Sequence, residues 1–214
     1  MDTKQLLELA DADDADSLLR ALGGTECFRV RSDNSETLYL YCLYRGKAKC
    51  TDALAKRGGL TLHEAAAAGD AARVAACAKD APWSLQSLSA DGWTALHLAA
   101  FLGRDEAVLR LLDLGSDARQ WGRAFDSNLP LHAACAGHKL GKAAFAKLIA
   151  ATGDPNVAVK GYTPLMIAAG NDFVDAVDAL LDAGADRSLK TPDNKTAADF
   201  ARERGHAELA AKLT

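Results

Sequence analysis

A chain of 214 residues with a formal charge of −4 and 49% hydrophobic content is long enough for one or two ordinary domains, and its net acidity gives no general attraction to nucleic acid. No apolar run approaches the ~20 residues that a membrane-spanning helix needs. Five cysteines (Cys27, Cys42, Cys50, Cys77 and Cys135) are scattered, odd in number and without a C-x-x-C spacing, which reads as reduced thiols in a cytosolic protein. The opening MDTKQLLELADADD lacks the basic and apolar regions of a secretory signal.

Taken in chain order, the predicted elements repeat. Lys4 opens KQLLELADAD, and Thr37 opens TLYLYCLYRG one full period later. Leu60 opens LTLHEAAAAG well short of the next full period, so about ten residues of connector are missing after Gly58. Thr94 opens TALHLAAFLG, Leu129 LPLHAACAG, Thr163 TPLMIAAGND and Thr196 TAADFARERG, at nearly equal intervals from Leu60 onward. Self-similarity at such a fixed period is the signature of a solenoid.

Each unit encodes two helices. Thr94 supplies an N-cap for the first backbone N–H groups, and Pro130 and Pro164 stand at the first helical position, where a missing N–H costs nothing. Leu96, Ala99 and Ala100 fall on one helical face, and Gly103 stops the helix. Ala107, Val108, Leu111 and Leu112 form the buried stripe of the second helix, which Gly115 ends. The predicted units are an acid-rich cap (1–33), a shortened second unit (34–58), then 59–90, 91–125, 126–159, 160–192 and a C-terminal cap (193–214), forming one all-α domain over 1–214.

These motifs resemble ankyrin repeats, helix–turn–helix units of ~33 residues with a T-P-L-H-x-A signature. Thr163-Pro164-Leu165, Thr94-Ala95-Leu96-His97, Leu129-Pro130-Leu131-His132 and the terminating LLDLGSD (111–117) and LLDAGAD (180–186) carry the resemblance. The shortened second unit running into LHEAAAAGDAARVAA looks like small cytosolic bacterial members of the family. The resemblance implies a non-catalytic protein–protein interaction module, with the motif histidines His63, His97 and His132 bonding to neighbouring loops and a partner docking on the concave face.

The chemistry-bearing residues otherwise read as structure. There is no G-x-S-x-G, P-loop or Rossmann glycine pattern, and Gly23-Gly24 and Gly58-Gly59 are helix stops. The motif histidines lie one unit apart, at about 10 Å between helices, too far to share a zinc ion easily. Cys135 stands near His132 but occupies the small packing position of Ala100. No catalytic residue, cofactor or metal is expected.

Partner contacts are expected at Tyr41, Tyr44, Arg45, Phe101, Leu102 and Asn171 on the first helices, and at Trp93 and Tyr162 on the loop tips, both read as surface residues. In the longest connector, Trp121, Arg123 and Phe125 either touch a partner or pack back on the stack. Trp83 is expected to pack beneath a loop. The missing connector should leave a notch near Tyr41, Tyr44 and Glu64 that admits part of a partner. Arg45, Lys47, Lys49, Lys56 and Arg57, opposed by Asp52 alone, form either a solvated helix face or a patch for an acidic partner. The expected protein is a cytosolic monomer that binds a protein, not nucleic acid or membrane. The rivals are a bacterial effector or immunity-type protein and, less favoured, an enzyme or metal-redox protein. Irregular unit lengths argue against an engineered repeat.

Overall fold

A computed structural model describes residues 2–123 and 128–214. Seven helix pairs run along the described chain: α1 (Thr3–Asp11) with α2 (Ala15–Leu22), α3 (Leu38–Tyr44) with α4 (Ala48–Arg57), α5 (Leu62–Ala68) with α6 (Ala71–Asp80), α7 (Ala95–Phe101) with α8 (Asp105–Asp113), α9 (Pro130–Gly137) with α10 (Lys142–Thr152), α11 (Pro164–Gly170) with α12 (Val174–Asp182), and α13 (Ala197–Glu203) with α14 (Ala207–Lys212). Each pair lies within one predicted unit. Short 3₁₀ turns occupy Cys27–Arg29 and Pro82–Gln86. Among the described residues the only β pairing is two isolated bridges, Arg31 with Thr37 and Val159 with Tyr162.

The helices form two layers. First helices stack on first helices (α5, α7, α9, α11, α13) and second helices on second helices (α6, α8, α10, α12). Alanine makes the first layer thin: Ala99, Ala100, Ala133, Ala134, Ala168 and Ala169 are all buried. Leu111, Leu148 and Leu180 fill the space between layers. One continuous core results, so no unit buries its faces alone.

The caps place the units more accurately than the motif does. Thr37, Thr94, Thr163 and Thr196 each accept a hydrogen bond from the third backbone N–H of their helix. Two openers are corrected. Asp2, not Lys4, caps α1. Thr61, not Leu60, caps α5 in a full capping box with Glu64, because its hydroxyl can accept from an orphan N–H and a leucine cannot. The unit therefore begins one residue later than the motif suggests, and the step from Thr37 is still a short one. His63 then precedes the histidine position by one residue, and Glu64 fills it.

Side chains stitch the connectors from unit to unit. Gln86 accepts from the Asp117 N–H (3.1 Å) and donates to the Gly115 carbonyl (3.0 Å). Two units later Asn156 repeats the device, accepting from Asp186 N–H (2.7 Å) and donating to Gly184 (3.4 Å). Between them Arg119 donates to the Thr152 carbonyl (2.9 Å), at the C-terminus of α10. On the N-terminal side of the second helices, Asp13 accepts from Cys50 N–H at the start of α4 (2.9 Å), and Asp105 from Gly141 N–H at the start of α10 (2.9 Å). Each cap thus comes from the preceding unit.

Candidate interaction face

A tight hairpin precedes most first helices, marked by backbone bonds from Ser32 to Glu36 (3.0 Å), Ser89 to Trp93 (2.8 Å), Val159 to Tyr162 (2.9 Å) and Thr191 to Lys195 (2.9 Å). Only Gly58, Gly59, Leu60 and the cap Thr61 join α4 to α5, so this junction carries no hairpin. The hairpins before α3 and α7 consequently face each other across the α5 unit. Tyr44 spans that gap, its hydroxyl donating to Asp91 Oδ2 (2.8 Å). Desolvation first, then the Asp91 charge, hold the Tyr44 phenol well above its ordinary pKa.

A groove of about 500 Å³ follows on the hairpin side of the first helices. Tyr44, Trp93 and Phe101 wall it, Ala133 and Ala136 of α9 line it, and Glu36, Asp91 and Asn128 supply its polar atoms. Tyr44 is 39% exposed. Trp93 is 7% exposed, contrary to its expected surface position. Its ring folds onto Phe101 of the same unit (5.2 Å, edge-to-face) and beside His97 (6.0 Å), because a tryptophan at the hairpin base recovers more from packing than from water. It therefore offers the groove only an edge.

The other expected contacts are dispersed. Tyr41 is a correction: it is buried, its hydroxyl on the Asp11 carboxylate (2.9 Å to each oxygen) and its ring under the Arg45 guanidinium (3.7 Å to the centroid). Arg45, though exposed, is engaged there and by Glu36 (2.9 Å). Leu102 and Asn171 are half-buried, and Asn171 donates to the Cys135 carbonyl (3.3 Å), tying α11 to α9. Tyr162 is exposed and leans on Phe200 (5.7 Å). Trp121 is 48% exposed, over a separate hollow with Arg119 and Asp154. Arg123 is exposed, its N–H donating to the Gly92 carbonyl (2.7 Å). Phe125 lies outside the described residues. Trp83 is a second correction, 75% exposed on its 3₁₀ turn, because that turn buries Leu85 instead.

At the missing connector a small hollow of about 150 Å³ lies between the facing hairpins, lined by Arg31, Leu40, Thr61 and His63 and sharing Glu36 and Asp91 with the groove; Tyr41, Tyr44 and Glu64, expected beside the notch, do not line it. Glu64, expected on its wall, is fully buried, folded back so that Oε2 accepts from the Thr61 N–H (2.8 Å) and hydroxyl (2.9 Å). Two of the five basic residues nearby hold unit two to unit one, and a third is engaged within unit two. Lys47 and Arg57 donate to the Asp11, Gly23 and Thr25 carbonyls, and Arg45 covers Tyr41. Lys49 and Lys56 remain beside Asp52 on the second-helix side.

His97 and His132 lie inside the stack. His97 Nε2 bonds to the Asn128 carbonyl (2.9 Å) and Nδ1 to the Thr94 hydroxyl (2.8 Å), while His63 Nε2 bonds to the Ser87 carbonyl (3.0 Å). His132 is buried with neither ring nitrogen in hydrogen-bond geometry among the described residues, although backbone groups of Tyr162 and Val157 face it. Burial pushes the His97 and His132 pKa values down to about 4. It pushes the Cys135 thiol far up, so this pair holds neither a thiolate nor an imidazolium at neutral pH. Among the described residues no group of three or more His, Cys, Asp or Glu could hold a metal ion, and no helix is long and apolar enough to cross a membrane.

The sequence matches the family described as ankyrin repeats (3 copies), over residues 6–121, 62–158 and 131–214. The chain belongs to the ankyrin-repeat family. Comparison with curated proteins gives no match. Ankyrin repeats generally mediate protein–protein interaction and are typically non-catalytic. In this ankyrin-repeat chain the groove joins Tyr44, Trp93 and Phe101 of the expected contacts and leaves out Tyr162, Asn171, Trp121 and Arg123. Sequence reasoning missed Asp91, Ala133 and Ala136. The Asp91-Gly92 pair signalled only a turn, and the alanines signalled only packing.

Proposed function

We propose that this chain is a non-catalytic interaction module that holds a protein partner on its concave face, the face of first helices and hairpin tips, with the Tyr44–Trp93–Phe101 groove as its centre. The carrying observation is that groove: aromatic walls and an alanine floor held open by buried packing, with few polar groups. Because Trp93 and Phe101 are fixed against each other before binding, a partner loses little affinity to ordering them. Aromatic anchors of this kind dominate binding energy at interfaces. The protein acts as a monomer in the cytosol; polar end units and five free thiols support that reading.

Affinity capture from native lysate, read by mass spectrometry, tests the module. Ala136→Arg fills the groove from an exposed position without removing packing, and a Lys49→Ala/Lys56→Ala variant alters the opposite layer. A partner held by wild type and the lysine variant, and lost by Ala136→Arg, is the expected result. A partner that Ala136→Arg still holds would place binding elsewhere.

A further inference from the structure

We propose that the groove takes a segment of a protein partner in which a lysine or arginine stands beside a bulky apolar side chain, with the cation seated on Asp91. This rests on the concave-face reading above and names the partner's chemistry.

The charged groups lining the groove are Glu36 and Asp91, both carboxylates. Their situations differ. Glu36 is answered by the Arg45 guanidinium at 2.9 Å. Asp91 is held by neutral donors: the Tyr44 hydroxyl on Oδ2 at 2.8 Å and the Ser89 hydroxyl on Oδ1. Arg31 turns its guanidinium to the Ser35 carbonyl (2.8 Å), and Arg123 bonds to Gly92 through its backbone N–H. Among the described residues neither forms an ion pair with Asp91. Asp91 is thus a half-buried, fixed anion at the rim of an apolar surface.

An occupant that covered Asp91 with apolar atoms would desolvate a charge without compensation, and an acidic one would add repulsion. A cation removes both costs. The missing hairpin also gives the cation a place. The hollow of about 150 Å³ opens beside Asp91 and Glu36, with Arg31 and His63 also on its wall; Arg31 is turned to the Ser35 carbonyl, and the hollow is sized for the end of one long side chain rather than a helix. The neighbouring apolar group then lies against Phe101, Ala133 and Ala136. One feature of the chain, the deleted connector, therefore couples a charge site to an apolar site.

Three probes of one shape and different charge test this: 4-phenylbutylamine, 4-phenylbutanol and 4-phenylbutyrate, each titrated into the ¹⁵N-labelled full chain and followed through the amides of Asp91, Gly92, Trp93, Phe101 and Ala133. The amine is expected to shift these amides with affinity up to about 5-fold above the alcohol, the range of a partly exposed ion pair, and the acid to bind weakest. Asp91→Asn keeps an acceptor for Tyr44 and should abolish the amine's advantage while leaving the alcohol unchanged. If alcohol and amine shift the groove amides equally, the cation site is overturned and the apolar groove stands. If none shifts them, the groove reading falls as well. The wild-type comparison decides the point even if the variant folds poorly.

Discussion

At the residue scale, two histidines in one structural position behave differently because of a neighbour at the helix cap. His97 has the Thr94 hydroxyl on one nitrogen and the Asn128 carbonyl on the other. His132 follows Leu129, which has no hydroxyl to offer. Breaking satisfied buried bonds leaves donors and acceptors orphaned, whereas removing an unpartnered polar group does not. His97→Leu should therefore cost ~1–3 kcal/mol, and His132→Leu less than ~1 kcal/mol, as read by urea unfolding. Both rings have folded pKa values of about 4 against about 6.5 when unfolded. The unfolded chain binds more protons in that window, so stability is full above about pH 6.5 and falls as the pH drops toward 4. Unfolding midpoints measured between pH 7 and 4 should show this slope, reduced in His132→Leu. The sequence displayed the histidines and their period. It did not display the Asn128 carbonyl that His97 meets, which comes from the next unit's backbone.

At the scale of elements, the closeness of α7 and α9 is set by single atoms. A Cβ on Gly137 would lie 1.9 Å from the Phe101 carbonyl oxygen. Gly→Ala within a helix normally stabilises by roughly 0.5–1 kcal/mol; here it should destabilise, because backbone must separate to admit a methyl group. Thermal unfolding of Gly137→Ala reads the sign directly. Leu111, fully buried between the layers, should cost ~2–5 kcal/mol on truncation to alanine. Helix existence and pairing were legible from the Thr/Pro openers and Gly stops. The one-residue cap shift to Thr61 was not, because the LTLH tetrapeptide aligns on its histidine, whereas the helix starts where a hydroxyl can cap it. Trp93 and Trp83 exchanged roles for a related reason: local sequence gives no sign of whether a loop aromatic meets Phe101 or water.

Across the whole molecule, stability is a sum over units and their contacts, and the junction lacking a hairpin is its weakest seam. Units one and two are bound to each other by Tyr41–Asp11, Arg57–Gly23 and Asp13–Cys50. Beyond the seam, the Tyr44–Asp91 bond reaches across the gap. Amide exchange should therefore be faster in α1–α4 than in α7–α12, and Tyr44→Phe should widen the difference by removing a bond worth ~0.5–1.5 kcal/mol. Uniform protection along the chain, measured by hydrogen exchange and mass spectrometry, would contradict a weak seam.

The sequence by itself determined the period, the helix pairs, the shortened unit and the family they belong to, because each is written in residues close together in the chain: a cap, an apolar stripe, a stop. Only the tertiary structure decided which aromatics wall a groove, whereas the Thr61–Glu64 capping box is local to its own helix. The tertiary structure also decided that Lys47 and Arg57 are spent on the preceding unit, and that hydroxyls rather than a cation hold Asp91 among the described residues. Those outcomes depend on atoms one unit or more apart in the chain meeting across the stack. Such meetings follow from how the layers pack, and a local pattern of residue types carries no record of them.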